Sequence, residues 1–162
     1  MLRDPKVIEH LNTQLTNELT SINQYFLHAR ILDHWGVSKL GKREYDESID
    51  EMKHADSLIQ RILFLDGLPN VQRLNQVAVG ETVEEILRAD LRLEEKALED
   101  LREAIAYCES ARDFVSRDLL MHILESEEEH VDFIERQFDL IEKIGPERYI
   151  LLNAASAPDS GS

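Results

Sequence analysis

Two short stretches of the chain repeat each other's chemistry. Glu51-Met52-Lys53-His54 and Glu127-Glu128-Glu129-His130 each set a glutamate three residues before a histidine. On an α-helix that spacing puts both side chains on one face, a turn apart, so each pair aims a carboxylate and an imidazole the same way. Carboxylate oxygen and neutral imidazole nitrogen together suit a divalent transition metal such as iron. A further glutamate stands 33 positions ahead of each pair, Glu18 before Glu51 and Glu94 before Glu127 (51 − 18 = 127 − 94 = 33). One shift of 76 carries Glu18, Glu51 and His54 onto Glu94, Glu127 and His130, which points to two related helical hairpins.

The elements that must hold these six side chains read as four long helices. The first starts at Asp4-Pro5, an N-cap residue followed by proline at the first helical position, and its apolar stripe runs Ile8, Leu11, Leu15, Ile22, Tyr25, Ala29, Leu32. Glu18 falls on that stripe, which ends at Trp35-Gly36. A second helix is expected from about Ser38 to Asp66, with Glu51, Ala55, Leu58, Ile62 and Leu65 on one stripe and His54 beside it. Tyr45, Ile49, Met52 and Ile59 make a second, offset stripe. A bundle core reaches one face only, so the second face needs a second partner, and a subunit interface is expected there.

Residues 67–81 carry few helix signals and suit a long crossover joining parallel helices. The third helix begins near Val83, with Leu87, Leu91, Leu98, Leu101 and Ile105 in its seam and Glu94 among them. After a break at Ser110-Ala111-Arg112, the fourth carries Leu120, Ile123, Ile134, Phe138 and Ile141, with Glu127 and His130 in seam positions. Gly145-Pro146 ends it. The expected organisation is a bundle over 1–145 holding the metal centre, a short C-terminal helix over 146–154, and a disordered tail over 155–162.

In a chain with 20 Glu among 162 residues the spacing alone weighs little; burial weighs more. Four ionised carboxylates on apolar seams would each cost several kcal/mol if unpaired, on the order of what a buried lone charge costs. Crowded together they repel and force proton uptake. Two divalent cations remove both problems, and two imidazoles complete a six-ligand set. One Glu from each of two helices plus Glu-x-x-His from each of the other two is the known arrangement of di-iron carboxylate bundles, applied to this chain rather than discovered in it.

Bulk properties narrow the function further. A formal net charge of −15 argues against nucleic acid or an anionic membrane as partner, since both need basic patches. A single cysteine, Cys108, excludes an internal disulfide framework and a cysteine-only metal cluster, and is expected as a small packing residue. No run approaches the roughly 18 apolar residues of a membrane span, and the first residues lack the apolar core of a signal peptide, so the expected location is cytoplasmic.

The segments NELTSINQYFLHAR, EYDESIDEMKHAD, RILFLDGLPN, DLREAIAYCES and ESEEEHVDFIE resemble bacterioferritin, and the similarity runs from about residue 3 to residue 152. The resemblance implies an all-α, ferritin-like antiparallel four-helix bundle with a long crossover between helices 2 and 3 and a short fifth C-terminal helix. It implies a homo-oligomer of 24 subunits that oxidises Fe(II), with O₂ or peroxide, at an intrasubunit di-iron ferroxidase centre. Ferric mineral is stored inside, and a ferredoxin or reductase serves iron release. On this resemblance Glu18, Glu51 and His54 bind one iron, Glu94, Glu127 and His130 the other, and Glu51 and Glu127 bridge. Tyr25 either donates an electron or hydrogen bond to the centre or simply packs in the core.

The same resemblance makes Met52 the axial ligand of a haem b, one per subunit dimer, with Leu19, Asn23, Phe26, Tyr45 and Ile49 lining its pocket. It also implies an inner-surface iron site at Asp50. The histidine some family members place there is Asp46 in this chain, and solvated surface acids are the competing reading of that pair. His10, His28, His34 and His122 are assigned no role. Two rivals remain open: another di-iron bundle such as a peroxide-reducing rubrerythrin, whose paired cysteines this chain lacks, and a metal-free helical scaffold.

Overall fold

The computed structural model describes residues 3–154. Five helices follow in order: α1 (Pro5–His34), α2 (Ser38–Phe64), α3 (Val83–Ser110), α4 (Phe114–Ile144) and α5 (Pro146–Ala154). No strand occurs among the described residues. The expected tail, 155–162, lies outside them.

Capping chemistry sets the starts. Asp4 accepts the Lys6 backbone N–H and Pro5 follows it. Thr82 accepts from Glu85 N–H, and the Glu85 carboxylate accepts Glu81 N–H in return. Asp113 accepts from Ser116 N–H, while Arg61 reaches over from α2 to Asp113 at 2.9 Å and to Ser116 Oγ at 2.9 Å.

Three helix ends share one device. Val37 N–H returns to Leu32 C=O and Gly36 N–H to Asp33 C=O. The same 6→1 and 5→2 bonds recur at Gly67–Ile62 with Asp66–Leu63, and at Asp113–Cys108 with Arg112–Glu109. Gly36 takes the left-handed position at φ 82°, but Asp66 (φ 58°) and Arg112 (φ 60°) take it in the other two. The second helix therefore ends at Phe64, not at the expected Asp66: Asp66 supplies the left-handed turn, ahead of Gly67.

Connections of three residues join α1 to α2 and α3 to α4, so each pair is an antiparallel hairpin. Residues 65–82 cross over between the hairpins, which makes α2 and α3 parallel. α1 packs on α2 and α3, α4 on α3 and α2, and α5 closes one end against α4 and α2.

The core is divided. One apolar cluster, around Leu11, Leu15, Leu58, Ile62, Leu101 and Leu120, fills one end and includes the buried Cys108. A second, around Leu32, Leu40, Ile86, Leu87, Ile134 and Tyr149, fills the other. Polar side chains occupy the length between them, and the six candidate ligands lie there.

The crossover is strapped down by polar side chains of α1. Asn12, Thr20, Gln24 and His28 each take a backbone N–H of the loop, from Asn70, Asn75, Ala78 and Gly80 in turn. Asn17 accepts the Asn75 side-chain amide. α1 thus buries polar residues on the face turned to the loop and apolar ones on the face turned to the core.

Candidate metal centre

Glu18, Glu51, Glu94 and Glu127 are each no more than 1% exposed, although all four are carboxylic acids on helices rich in exposed charge. Each interrupts an apolar seam at mid-helix, and the bundle brings the four seams together. His54 (9% exposed) and His130 (3%) complete the layer. All six sequence-derived ligands therefore meet in one place.

They form two groups. Glu18, Glu51, His54 and Glu127 can each offer a donor atom within 4.8 Å of the others, and so can Glu94, Glu127 and His130. His54 Nδ1 lies 3.5 Å from Glu18, 3.9 Å from Glu51 and 3.4 Å from Glu127. His130 Nδ1 lies 3.4 Å from Glu94. Glu127 belongs to both groups, the place a bridging carboxylate would take.

Protein donors do not satisfy this layer. Glu18 Oε2, Glu51 Oε1, Glu94 Oε2, both Glu127 oxygens and His54 Nδ1 are buried without a hydrogen-bond partner. Such atoms are normally paired, because an orphan loses its water and gains nothing. Their clustering and their chemistry, five carboxylate oxygens with one imidazole nitrogen, fit divalent iron. Burial, then the charges of Glu18 and Glu127, push the Glu51 carboxyl well above the usual range. Burial, then Glu127, does the same to Glu94. Burial would lower His54, but the carboxylates of Glu127 and Glu18, 3.4 and 3.5 Å from Nδ1, outweigh it and carry the imidazole up to about 10.

Outer side chains orient the ligands. Tyr25 OH donates to Glu94 Oε1 and lies 3.1 Å from His130 Nδ1, its ring edge-on to the imidazole at 5.0 Å. Gln14 Nε2 donates to Glu18 Oε1 at 2.8 Å. Glu47 Oε2 stands 3.8 Å from His130 Nδ1, while its Oε1 accepts from Arg43, whose guanidinium lies over Phe133, itself stacked on His130. Burial raises Glu47 to about 7 against the pull of Arg43. Gln14 and Glu47 escaped the sequence reading. Their signal was position, four residues before Glu18 and before Glu51.

A surface cleft lined by Asp50, Lys53, His54, His122, Glu125, Ser126 and Glu129 reaches the layer, with His54 in its wall. Asp50 therefore faces this cleft, 3.9 Å from Lys53. Asp46 is exposed and paired with Lys42 at 3.1 Å.

The second stripe of α2 is open to solvent. Met52 is 51% exposed, Phe26 49% and Tyr45 36%, while Leu19 and Ile49 are half-buried beneath them and Asn23 is exposed. Arg30 lies over both the Phe26 and Tyr45 rings. These residues, from α1 and α2, form one apolar face on the outside of the first hairpin.

His28, assigned no role from the sequence, is fully buried, with Nδ1 3.0 Å from Asp90 Oδ1. It is a core residue of a polar cluster with Gln24, Glu44 and Asp90.

Comparison with known proteins gives the family. A family model for the ferritin-like domain matches residues 8–144. A bacterioferritin of Brucella melitensis is 48% identical over 160 residues, covering 99% of each chain. One from Streptomyces coelicolor is 51% identical over 150 residues, 93% of this chain and 90% of its own. A third, from Rhodobacter capsulatus, is 47% identical over 155 residues, 96% of each.

Proposed function

The chain belongs to the bacterioferritin family of ferritin-like proteins, and from that membership we propose a ferroxidase role for its buried carboxylate layer within an iron store. Iron storage follows from the family; the roles of individual residues are our reading. Fe(II) is the substrate. Glu18, Glu51 and His54 take one ion and Glu94, Glu127 and His130 the other, with Glu51 and Glu127 between them. The single observation that carries this is the orphaned donor set: five buried carboxylate oxygens and one imidazole nitrogen turned to a common centre.

Each Fe(II) gives up one electron. O₂ that takes two electrons and two protons leaves as hydrogen peroxide, and peroxide that takes two more of each leaves as water. The protein's part is to gather two ions side by side and neutralise them with carboxylates. Tyr25 holds Glu94 and His130 in register and is close enough to lend an electron. The acidic cleft at Asp50 gives cations a route past His54. Ferric product is stored as mineral inside a 24-subunit shell. A ferredoxin or reductase is the electron donor for iron release, in a cytoplasmic setting; no helix among the described residues is long and apolar enough to cross a membrane.

Haem b is the cofactor that the open face of the first hairpin fits. A thioether more than half exposed, ringed by Phe26, Tyr45, Leu19 and Ile49 with Asn23 at the edge, is costly in water and well suited to a flat apolar ligand. Across a twofold axis Met52 from each of two copies would hold one iron. Bound haem supplies one-electron transfer, and thioether ligation raises its potential.

Stopped-flow Fe(II) oxidation with metal analysis tests the centre. Alanine at Glu51 or Glu127 is expected to abolish the rapid phase, and unchanged kinetics would reject the assignment.

A further inference from the structure

A second set of ionisable side chains lies in the core beside the metal layer. Asp90 stands one turn before Glu94 on α3, Glu44 two turns before Glu51 on α2, and His28 about one turn after Tyr25 on α1. Asp90 is 1% exposed, Glu44 4% and His28 0%. One donor atom from each falls within 4.8 Å of the others.

The protons around this trio can be placed one by one. Gly80 N–H donates to His28 Nε2 at 3.1 Å, so Nε2 is a lone pair and the ring proton sits on Nδ1. Nδ1–H then donates to Asp90 Oδ1 at 3.0 Å. The same oxygen accepts Gln24 Nε2–H at 3.0 Å, and Gln24 Oε1 is fixed by Ala78 N–H. Nothing donates to Asp90 Oδ2 or to Glu44 Oε2, although both are buried. An oxygen of each carboxyl lies within 4.8 Å of the other, and two buried acids that close repel unless one of them carries a proton.

Either a shared proton or a bound cation could satisfy the two orphaned oxygens. His28 decides between them. A cation would claim the Nδ1 lone pair, forcing the ring proton onto Nε2, straight at Gly80 N–H. Gly80 is packed closely on the start of α3, where a Cβ would run into the backbone of Glu85 and Ile86. Asp90 already accepts two hydrogen bonds and is the natural anion; Glu44 is left as the acid. The groups facing Glu44 are His28 on α1, Glu47 on its own helix, Asp90 and Glu94 on α3 and Tyr149 on α5. None of them is a cation, so burial and then Asp90 hold the Glu44 carboxyl well above the usual range.

We infer that Glu44 and Asp90 hold one proton between them, Glu44 as acid and Asp90 as base, and that this pair releases it when the neighbouring metal centre gains positive charge. The release rests on the ferroxidase reading; the shared proton does not. Oxidation sends one electron from each Fe(II) to the oxidant and leaves more positive charge a turn away. The pair loses one proton to solvent and no electron, and its second negative charge offsets that gain. Glu44 acts through the centre's electrostatics and is a positioning residue, not a ligand.

Difference infrared spectroscopy on the assembled full-length protein tests the shared proton. Zn(II) fills the centre and ionises its carboxylates, and a pH well above the Glu47 value of about 7 ionises that residue, so a remaining protonated-carboxyl stretch that shifts in D₂O is expected from Glu44, and Glu44→Gln should abolish it. Gln keeps the shape and can still donate to Asp90. Absence of the stretch in the unmodified protein overturns the inference whatever the variant does. So does a third Zn(II) per chain whose binding removes the stretch, since the trio would then be a cation site. Proton counting with a pH indicator in a single turnover, at two Fe(II) per chain, tests the release. Glu44→Gln should release about one proton fewer per chain; an equal count overturns the coupling. If the unmodified protein neither oxidises Fe(II) nor binds Zn(II), the ferroxidase reading fails, and the infrared stretch is then read on the metal-free protein against Glu44→Gln.

Discussion

His54 Nδ1 lies 3.4 Å from Glu127 Oε1, closer than to Glu51 on its own helix at 3.9 Å. The carboxylate one turn away on α2 is thus not the imidazole's nearest acid; the nearest comes from α4, and it also reaches Glu94 and His130. Glu127 is the residue through which the two halves of the centre meet.

Glu127→Ala should therefore cost both metal positions, while Glu18→Ala should cost mainly one. Binding titrations with Zn(II) and stopped-flow Fe(II) oxidation read the difference: near-complete loss against partial loss. The same substitution relieves crowding in the metal-free protein, and removing one of four buried acids should raise its stability by about 1–3 kcal/mol. Calorimetry should show the metal-free variant melting higher and gaining less from metal. A variant that melts lower without metal would mean that the carboxylates do not strain the empty layer.

The pH dependence of the metal-free protein follows from the same crowding. Glu51 and Glu94 are raised by burial and by neighbouring acids, and Glu47 is raised by burial to about 7. A carboxyl raised in the fold contributes stability that is whole below its unfolded value of 4.5 and is lost as pH rises through its folded value. For Glu47 the window runs from 4.5 to about 7 and is worth roughly 3 kcal/mol. His54 works in a higher window, whole below 6.5 and lost as pH rises through about 10. Metal-free protein should thus melt at a lower temperature at a pH of about 8 than at about 5. Metal replaces the protons on Glu51 and Glu94, so the loaded protein should lose that part of the slope. Parallel slopes with and without metal would contradict this.

The buried carboxylate layer was legible in the sequence because acids on apolar stripes are conspicuous. Glu18 sits between Leu15 and Ile22, and Glu94 between Leu91 and Leu98. The Glu44–Asp90–His28 trio was not, since Glu44 and Asp90 stand in α2 and α3 among many exposed charges and no periodicity separates the buried ones. α1 did carry a signal. From Leu19 to Ala29 it has no Asp, Glu, Lys or Arg, so it offers no charged face to water over about three turns. Those turns are covered on the polar side by the crossover. Helix starts were legible at Asp4-Pro5 and near Val83. The end of α2 was not, because Asp66 takes the left-handed conformation that sequence rules assign first to Gly67.

Met52→Ala should remove haem and leave the fold intact. The side chain is half exposed in one protomer, and surface substitutions of that kind change stability by about 0.5 kcal/mol or less. The visible spectrum of the purified variant, beside its melting curve, separates ligation from packing. A variant that keeps a bis-thioether haem spectrum would dismiss Met52 as the ligand; one that loses its helical structure would mean that the side chain supports the fold.

The strap between α1 and the crossover makes a local claim that can be tested without metal. Thr20 Oγ1 accepts Asn75 N–H at 3.0 Å while donating to Thr16 C=O at 2.7 Å. Thr20→Val keeps the shape and removes the acceptor, leaving Asn75 N–H with no partner. That loss is worth about 1 kcal/mol, or roughly a fivefold shift in a local opening equilibrium. Hydrogen exchange should accelerate by about that factor at Asn75. It should change little at Ile86 and Leu87 on α3, which pack in the far apolar cluster. Uniform acceleration across both would show that Thr20 supports the whole bundle. No change at Asn75 would show that Asn17, Gln24 and His28 hold the crossover without it.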